Sequence, residues 1–293
     1  MPATVLIVGY RAYAELERCL TSLRQHEPDA RVVVIDHAAD EDRGRAVVGK
    51  FPRAHYVPRL VNPGFAAGVN ACVRHAGEGP LLLLNPDCEL TGPVLAELTR
   101  ILVHHPRVGI VGGSVVEPNG VTQPSGRRFP DATTAVAGRT SLLSRLLPHN
   151  PLTRRNLAPR PSVGLAQVDW VTGAFMCFRR ETFDELGGFD EAYFLYWEDA
   201  DFCRRAANAG WTTMYARTAP VVHATARSSR FAPARSLLAF HRSALRYYWK
   251  HGSWLARGAG PLVALGLTAR FLMKLPARMF DAVPAAASRA SGH

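Results

Sequence analysis

The densest acid cluster in the 293-residue chain, Glu198, Asp199 and Asp201, follows directly on an aromatic run, Tyr193, Phe194, Tyr196 and Trp197. Carboxylates beside aromatic rings suit a site where a sugar stacks on a ring and one acid takes a proton from its hydroxyl. A base positioned in this way contributes about 10²–10⁴ in rate. The same acids also suit the first turn of a helix, where each gains about 0.3–1 kcal/mol from the helix dipole. The cluster alone leaves both readings open.

Other polar residues stand where apolar, strand-like runs end. Asp36 follows Val32–Ile35, with His37 and the acidic turn Asp40–Asp42 behind it. An acid there suits hydrogen bonds to a ribose or a base, while Asp40 also reads as a helix N-cap. The stretch Asn62-Pro63-Gly64-Phe65-Ala66-Ala67-Gly68-Val69-Asn70 has small residues that let the backbone approach a ligand. A helix N-terminus follows it, a fair place for a diphosphate. Asn85-Pro86-Asp87 presents a carboxylate where Mg²⁺ or Mn²⁺ can be held together with substrate phosphates, though all three residue types also favour an ordinary turn. His223 ends a late apolar run and matters as a ligand only if it converges with Asp87. From Gln123 to about Pro161 the chain is rich in Arg and Pro with weak periodicity. Such a segment reads as a lid, a binding loop or a solvated loop, and Arg127, Arg128, Arg139, Arg145, Arg154, Arg155 and Arg160 are placed in it to face diphosphate groups.

These residues need a frame. Strands are predicted at Thr4–Val8, Val32–Ile35, His55–Val57 and Leu81–Leu84, and helices at Tyr13–Gln25, Glu41–Lys50, Phe65–His75 and Pro93–His104. Short all-apolar strands alternating with helices predict an α/β fold, with a mostly parallel sheet covered on both faces. Ligands bind such sheets at the carboxyl ends of the strands. Gly109–Val116 reads as one further strand. Val168–Trp170 and Phe175–Arg179 read as strands flanking Thr172-Gly173-Ala174, followed by helices at Arg180–Leu186 and Glu198–Ala209 and strands at Thr212–Tyr215 and Pro220–Val222. An α/β domain over 1–232 is expected, with one part to about 116 and another from about 165, then a helical tail over 233–293. In the tail Arg270, Lys274 and Arg278 recur every four residues, opposite Phe271, Leu272, Leu275 and Met279, a pattern suited to an anionic membrane surface or to packing on the body. The uncharged run Gly258–Ala269 is too short to span a bilayer.

Composition bounds the rest. The net charge is +11, with pI about 10.0. From Ala224 onward there are 11 Lys+Arg and one acid, Asp281, so the tail carries +10 and the body is balanced. Such a tail meets anionic lipid or nucleic acid, but it lacks the arrangement of a nucleic-acid module. Five scattered cysteines with no CxxC pair argue for a reducing compartment and against a disulfide framework or structural zinc. The N-terminus enters TVLIVG without a basic n-region or cleavage site, which predicts no signal peptide.

The ordered set VLIVGY, ID-x-x-x-D, N-x-GFAAG-x-N, LLLNPD, VDWVTGA, GGFDEAYFLYWEDADFCRR and a late VVH resembles the family-2 inverting glycosyltransferases of GT-A fold, from about Thr4 to Trp249. Each motif is modest and their order is specific. Within the family the likeness is strongest to bacterial members that transfer rhamnose from dTDP-rhamnose to a polyprenyl-diphosphate-linked acceptor in cell-envelope glycan synthesis. UDP-galactose and UDP-GlcNAc are the alternative donors. The resemblance implies Asp199 as general base and Asp87 with His223 as ligands of Mg²⁺ or Mn²⁺. It implies donor contacts from Val8, Tyr10, Asp36, Asn62, Gly64, Phe65, Gly68, Asn70, Asn85 and Asp87. Acceptor contacts are implied for Trp170, Gly173, Ala174, Trp197 and Glu198. It further implies a cytoplasmic protein, peripheral on the inner face of the membrane, that binds no nucleic acid and can form a homodimer. Four positions depart from the family pattern: Arg11 follows the tyrosine where Asn is common, His37 and Ala38 replace Asn and a small polar residue, and Asn85 replaces the first acid of a full DxD.

Overall fold

Val5, Leu6, Ile7 and Val8 are consecutive and all buried, as a strand covered on both faces requires. They form the centre of β1 (Thr4–Tyr10). Strands β2 (Arg31–His37), β3 (Ala54–Arg59) and β4 (Leu81–Leu84) run parallel to it in the order β3-β2-β1-β4. Helices α1 (Tyr13–His26), α2 (Glu41–Val48) and α3 (Phe65–Arg74) connect them. Asp40 caps α2, its side chain accepting from the Arg43 N–H at 3.2 Å. The computed structural model describes residues 2–37, 39–130, 164–224, 233–258 and 260–280. Ala38, Arg139, Arg145, Arg154, Arg155 and Arg160 lie outside these residues, as do the side chains of Arg278 and Met279.

The sheet continues past β4 through β12 (Phe175–Phe178), β6 (Val108–Gly112), β13 (Thr212–Ala216) and β10 (Leu165–Val168), giving eight strands. β12 and β10 run antiparallel to their neighbours and the rest are parallel. Alternate residues feed the two faces. Val5, Ile7, Leu82 and Leu84 pack with Leu16, Leu20 and Leu98, the last from α4 (Leu95–His104). Leu6, Leu81, Leu83 and Phe178 pack with Val69, Phe183, Phe189 and Phe202, from α3, α5 (Arg180–Glu185), the following loop and α6 (Glu198–Asn208). Phe189 and Phe202 stack with centroids 4.3 Å apart. All five cysteines are buried and free.

The expected single strand over Gly109–Val116 is two. The chain turns at Gly113, where the Phe175 ring and Thr218 fill the space a side chain would need. β7 (Val115–Val116) therefore leaves the main sheet and joins a second one with β5 (Cys88–Leu90), β8 (Thr122–Gln123) and β14 (Val221–His223), in the order β5-β14-β7-β8. This small sheet is built from the chain segments that leave the carboxyl ends of β4, β6 and β13, so it stands at the edge where ligands bind such folds. A two-stranded ribbon pairs β9 (Gly126–Arg127) with β11 (Trp170–Val171).

The chain divides into two compact units, Met1–Thr225 and Ala226–His293. The second contains α7 (Pro233–His251), α8 (Trp254–Gly258) and α9 (Gly260–Phe280). α9 does not divide into the expected charged and apolar sides, since Arg270 and Phe271 both pack on α7. Arg270 is half-buried with its guanidinium 5.7 Å from the Phe240 ring of α7, and Phe271 meets His241 at 5.7 Å. Leu262, Leu265, Leu272 and Met273 face outward, and Trp254 is 80% exposed. Among the described residues, no helix is long and apolar enough to cross a membrane.

Candidate active site

β4 ends in Asn85-Pro86-Asp87 and passes at once into β5, which pairs antiparallel with β14 so that Cys88 stands opposite His223. This register brings Asp87 and His223 together: Asp87 Oδ1 is 3.3 Å from His223 Nε2, and both residues are buried. Cys88 completes a cluster whose ligand-type atoms lie within 4.8 Å of one another. Its thiol donates to the Ala174 carbonyl at 3.5 Å, and burial pushes its pKa well up. The cluster therefore offers one carboxylate and one imidazole. Asn85, two residues before Asp87, has a buried Oδ1 with no hydrogen-bond partner among the described residues. A carboxylate, an imidazole and an amide oxygen suit a hard or borderline divalent cation such as Mg²⁺ or Mn²⁺. His223 is held from behind by Gln123, whose Oε1 is 3.2 Å from Nδ1 and whose Nε2 donates to the His223 carbonyl at 3.3 Å.

The acid cluster opens α6. The two residues before it, Tyr196 and Trp197, both have left-handed backbone, φ 66° and 71°. For non-glycine residues this costs about 1–3 kcal/mol each, and such strain concentrates at functional sites. The three acids differ in what surrounds them. Asp201 is fully buried and paired with Arg205 at 2.8 Å, and Arg205 also donates to the carbonyls of Leu186 and Gly188. Asp201 therefore ties α6 to the preceding loop. Glu198 is buried with Oε2 lacking a partner among the described residues. Burial, then the neighbouring Asp199 charge, pushes its pKa well up. Asp199 accepts the Gly173 N–H on Oδ2 at 3.0 Å and the Ala200 N–H on Oδ1 at 2.8 Å. Burial raises its pKa, while these N–H groups and the Arg127 charge pull it back. The pair is thus unequal: burial raises both, Glu198 well up, while Asp199 keeps two N–H donors and the Arg127 charge that favour its charged form.

One short segment joins this cluster to the first. Gly173 holds Asp199, and the carbonyl of the next residue, Ala174, accepts from the Asn85 N–H at 3.1 Å and from the Cys88 thiol. β12 begins at Phe175, opposite Leu84 at the end of β4. Asp87, His223 and Asp199 therefore gather at one edge of the main sheet. Trp170 and Trp197 are half-exposed there. The Trp170 Nε1–H donates to the Arg128 carbonyl at 2.8 Å, and the Arg127 guanidinium lies 4.8 Å from the Trp170 ring.

On the first-strand side, Asp36 is buried and accepts the Tyr56 hydroxyl at 2.8 Å. Burial raises its pKa, and hydrogen bonds from Tyr56 and Tyr13 oppose that. Asn62 Oδ1 accepts the Gly64 N–H at 2.9 Å. Tyr10 is half-buried under Arg11, whose guanidinium lies 5.5 Å from its ring and whose φ is 54°. Three residues expected to serve the donor, Gly64, Gly68 and Asn70, also meet other parts of the protein. At Gly64, φ 111°, a Cβ would come within 2.7 Å of the Phe194 carbonyl oxygen and 2.8 Å of its Cα. The Phe65 N–H donates to the same carbonyl at 2.8 Å. At Gly68 a Cβ would meet Val8 at 2.5 Å and His37 at 2.8 Å. The Asn70 amide is spent on Phe189, donating to its carbonyl and accepting its N–H, both at 2.9 Å, and on Glu191. α3 and its leading turn thus clamp the loop that runs into the acid cluster. Sequence reasoning missed this clamp, the two tyrosines on Asp36 and the Gln123 contact, because each partner is remote along the chain.

A sequence profile described as Glycosyltransferase like family 2 matches residues 2–238. The N-acetylglucosaminyl-diphospho-decaprenol L-rhamnosyltransferase of Mycobacterium tuberculosis is 30% identical over 263 residues, 85% of each chain. Among solved structures, GalNAc-T7 with UDP, GalNAc and Mn²⁺ superposes with a TM-score of 0.58 at 17% identity, over 76% of this chain and 43% of that one. The mannosyltransferase PcManGT of Pyrobaculum calidifontis, with GDP-Man and Mn²⁺, gives a TM-score of 0.52 at 17% identity, over 96% of this chain and 85% of that one. A mostly parallel sheet with its polar residues at the carboxyl edge, a profile spanning most of the sequence and a relative matched along most of its length agree: the chain belongs to glycosyltransferase family 2, has the GT-A fold and is a glycosyl-transferring enzyme.

Proposed function

We propose that the enzyme transfers L-rhamnose from dTDP-rhamnose, with inversion, to a hydroxyl of a polyprenyl-diphosphate-linked glycan at an anionic membrane surface. The observation that carries the reaction type is the unequal acid cluster. Asp199 accepts two backbone N–H groups, which favour its charged form, at the edge where Asp87 and His223 meet. Its neighbours are less suited, Asp201 being paired with Arg205 and Glu198 being pushed well up by burial. One ionised carboxylate suffices for a single displacement, in which it takes the proton of the attacking hydroxyl. A retaining route would need a second carboxylate as nucleophile, about 5 Å away.

Asp87 and His223, with the Asn85 amide oxygen alongside, would hold a divalent cation. Bound there, it would offset the charge that develops on the leaving diphosphate. Val8, Tyr10, Asp36, Asn62, Phe65 and Asn85 are assigned to the donor side, with Asp36 toward the nucleoside. Trp170, Trp197, Gly173, Ala174 and Glu198 are assigned to the acceptor side, where half-exposed indoles suit sugar faces. The choice of rhamnose and of a lipid-linked acceptor is supported by the Mycobacterium tuberculosis relative. The surface assignment is supported by the exposed apolar face of α9 together with the +10 charge of the tail. The test is nucleoside diphosphate release from dTDP-rhamnose, UDP-galactose and UDP-GlcNAc, with Mn²⁺ and with chelator. Slow metal-dependent release, fastest from dTDP-rhamnose, is expected. Preference for a UDP-sugar would overturn the donor, and no release from any donor would overturn the reading of the site.

A further inference from the structure

We infer that Gln123 is a positioning residue that sets the tautomer and orientation of His223, turning the Nε2 lone pair toward Asp87. This rests on the reading that Asp87 and His223 hold the cation. Gln123 ends β8 and pairs with Val115 of β7, and β7 lies parallel beside β14 with Val115 opposite Val221. Its side chain reaches across β7 to His223 and touches that residue twice: Nε2 is 3.3 Å from the backbone carbonyl and Oε1 is 3.2 Å from Nδ1.

The two contacts fix each other. A carbonyl oxygen only accepts, so the NH₂ end of the amide must face it. The oxygen end then faces Nδ1, and because an amide oxygen also only accepts, Nδ1 must carry the hydrogen. In the neutral ring the remaining lone pair sits on Nε2, 3.3 Å from Asp87 Oδ1. A cation placed between that lone pair and the Asp87 carboxylate would be bound by both. A backbone carbonyl, an amide and an imidazole thus specify a ligand pair in advance. Groups that orient a metal-bound histidine through its other nitrogen are typically worth about 10–100-fold in metal affinity.

The test uses the full chain and three variants. Isotope-edited histidine NMR, with His223 assigned through His223→Gln, reports which ring nitrogen carries the hydrogen. Mn²⁺ binding by EPR, in the presence of dTDP, reports affinity apart from turnover. We expect the hydrogen on Nδ1 in the wild type. In Gln123→Met, which keeps the length but removes the acceptor, that preference should be lost and Mn²⁺ should bind about 10–100-fold more weakly. Gln123→Glu, which restores an acceptor opposite Nδ1 but sets its second oxygen against the His223 carbonyl, should return the hydrogen to Nδ1 and recover part of the affinity. Unfolding curves superimposable on the wild type would identify the Met effect as local. A wild-type hydrogen on Nε2, or Gln123→Met binding Mn²⁺ as the wild type does while His223→Gln does not, would overturn the inference alone. Mn²⁺ binding unaffected by His223→Gln would overturn the metal reading beneath it.

Discussion

Replacing Gly64 by alanine should damage the enzyme through the protein rather than through the donor. Gly64 has φ 111° and ψ 167°, a region essentially confined to glycine, and another residue held there pays about 1–3 kcal/mol. The added Cβ would also stand 2.7–2.8 Å from the carbonyl oxygen and Cα of Phe194. Both are backbone atoms, so the gap opens only if one segment moves by several tenths of an ångström. That movement stretches the 2.8 Å hydrogen bond from Phe65 N–H to Phe194 O, worth about 1 kcal/mol. Together these give about 3 kcal/mol, or roughly 6–12 °C in melting temperature for a domain of this size. Phe194 lies only a few residues before Asp199, so the displacement is passed to the proposed base. Since a misplacement of about 1 Å can cost 10²-fold, kcat should fall about 10–100-fold. The donor KM should change little. Thermal unfolding and steady-state kinetics with the preferred donor decide the matter. Stability within about 0.5 kcal/mol of wild type with kcat intact, or a loss confined to donor KM, would refute the clamp and return Gly64 to ligand approach.

Asp199→Asn should keep the fold and donor binding while product formation, followed by mass spectrometry, falls about 10²–10⁴-fold; a rate near that of the wild type would remove Asp199 as the base. Glu198→Gln should stabilise the protein increasingly as pH rises. Burial raises the folded pKa of Glu198, so its favourable contribution is complete below the ordinary glutamate value of about 4.3 and is lost as pH rises toward the folded value. Glutamine has no proton to lose, so the melting-temperature difference should grow in favour of the variant from about pH 4 to about pH 8, and a constant difference would contradict the assignment. Changing Leu262, Leu265 and Leu272 together to serine should weaken sedimentation with anionic vesicles by at least about 100-fold if these side chains enter the lipid. Unchanged binding that disappears in high salt would place the contact on the charges alone.

The first half of the fold was legible because its signals are local. β4 is Leu81–Leu84 as expected, and α3 differs from expectation by one residue at its end, because an all-apolar run and a glycine turn punctuate the chain by themselves. The site was legible only in part. Its acids announce themselves by type and spacing, but the sheet that joins Asp87 to His223 has strands of two or three residues, too short to carry any periodicity. Gly64 was recognisable as a special glycine, yet its reason is a Phe194 carbonyl far along the chain. In α9 the four-residue recurrence of Arg270 and Lys274 suggested a solvated stripe. Instead the Arg270 guanidinium packs over Phe240 and leaves leucines outside, an outcome decided by the partner helix rather than by the pattern.

The non-glycine residues with left-handed backbone among those described are Arg11, Tyr196 and Trp197, and all three stand at the carboxyl edge of the main sheet. Tyr196 and Trp197 together cost about 2–6 kcal/mol, a strain that persists only where the surroundings over-determine it. The surroundings here do so from both sides. Upstream, the loop is fastened by Gly64, Phe65 and Asn70 to α3. Downstream, Asp199 is fastened to Gly173 and Asp201 to Arg205. Between two anchors with too little chain to relax, the backbone has to reverse within Tyr196 and Trp197. The reversal sets the first turn of α6 against Gly173 and the β4 edge. An acid fixed in this way would need no reorganisation when an acceptor arrives, which is the condition under which Asp199, as the proposed base, would contribute most to the rate.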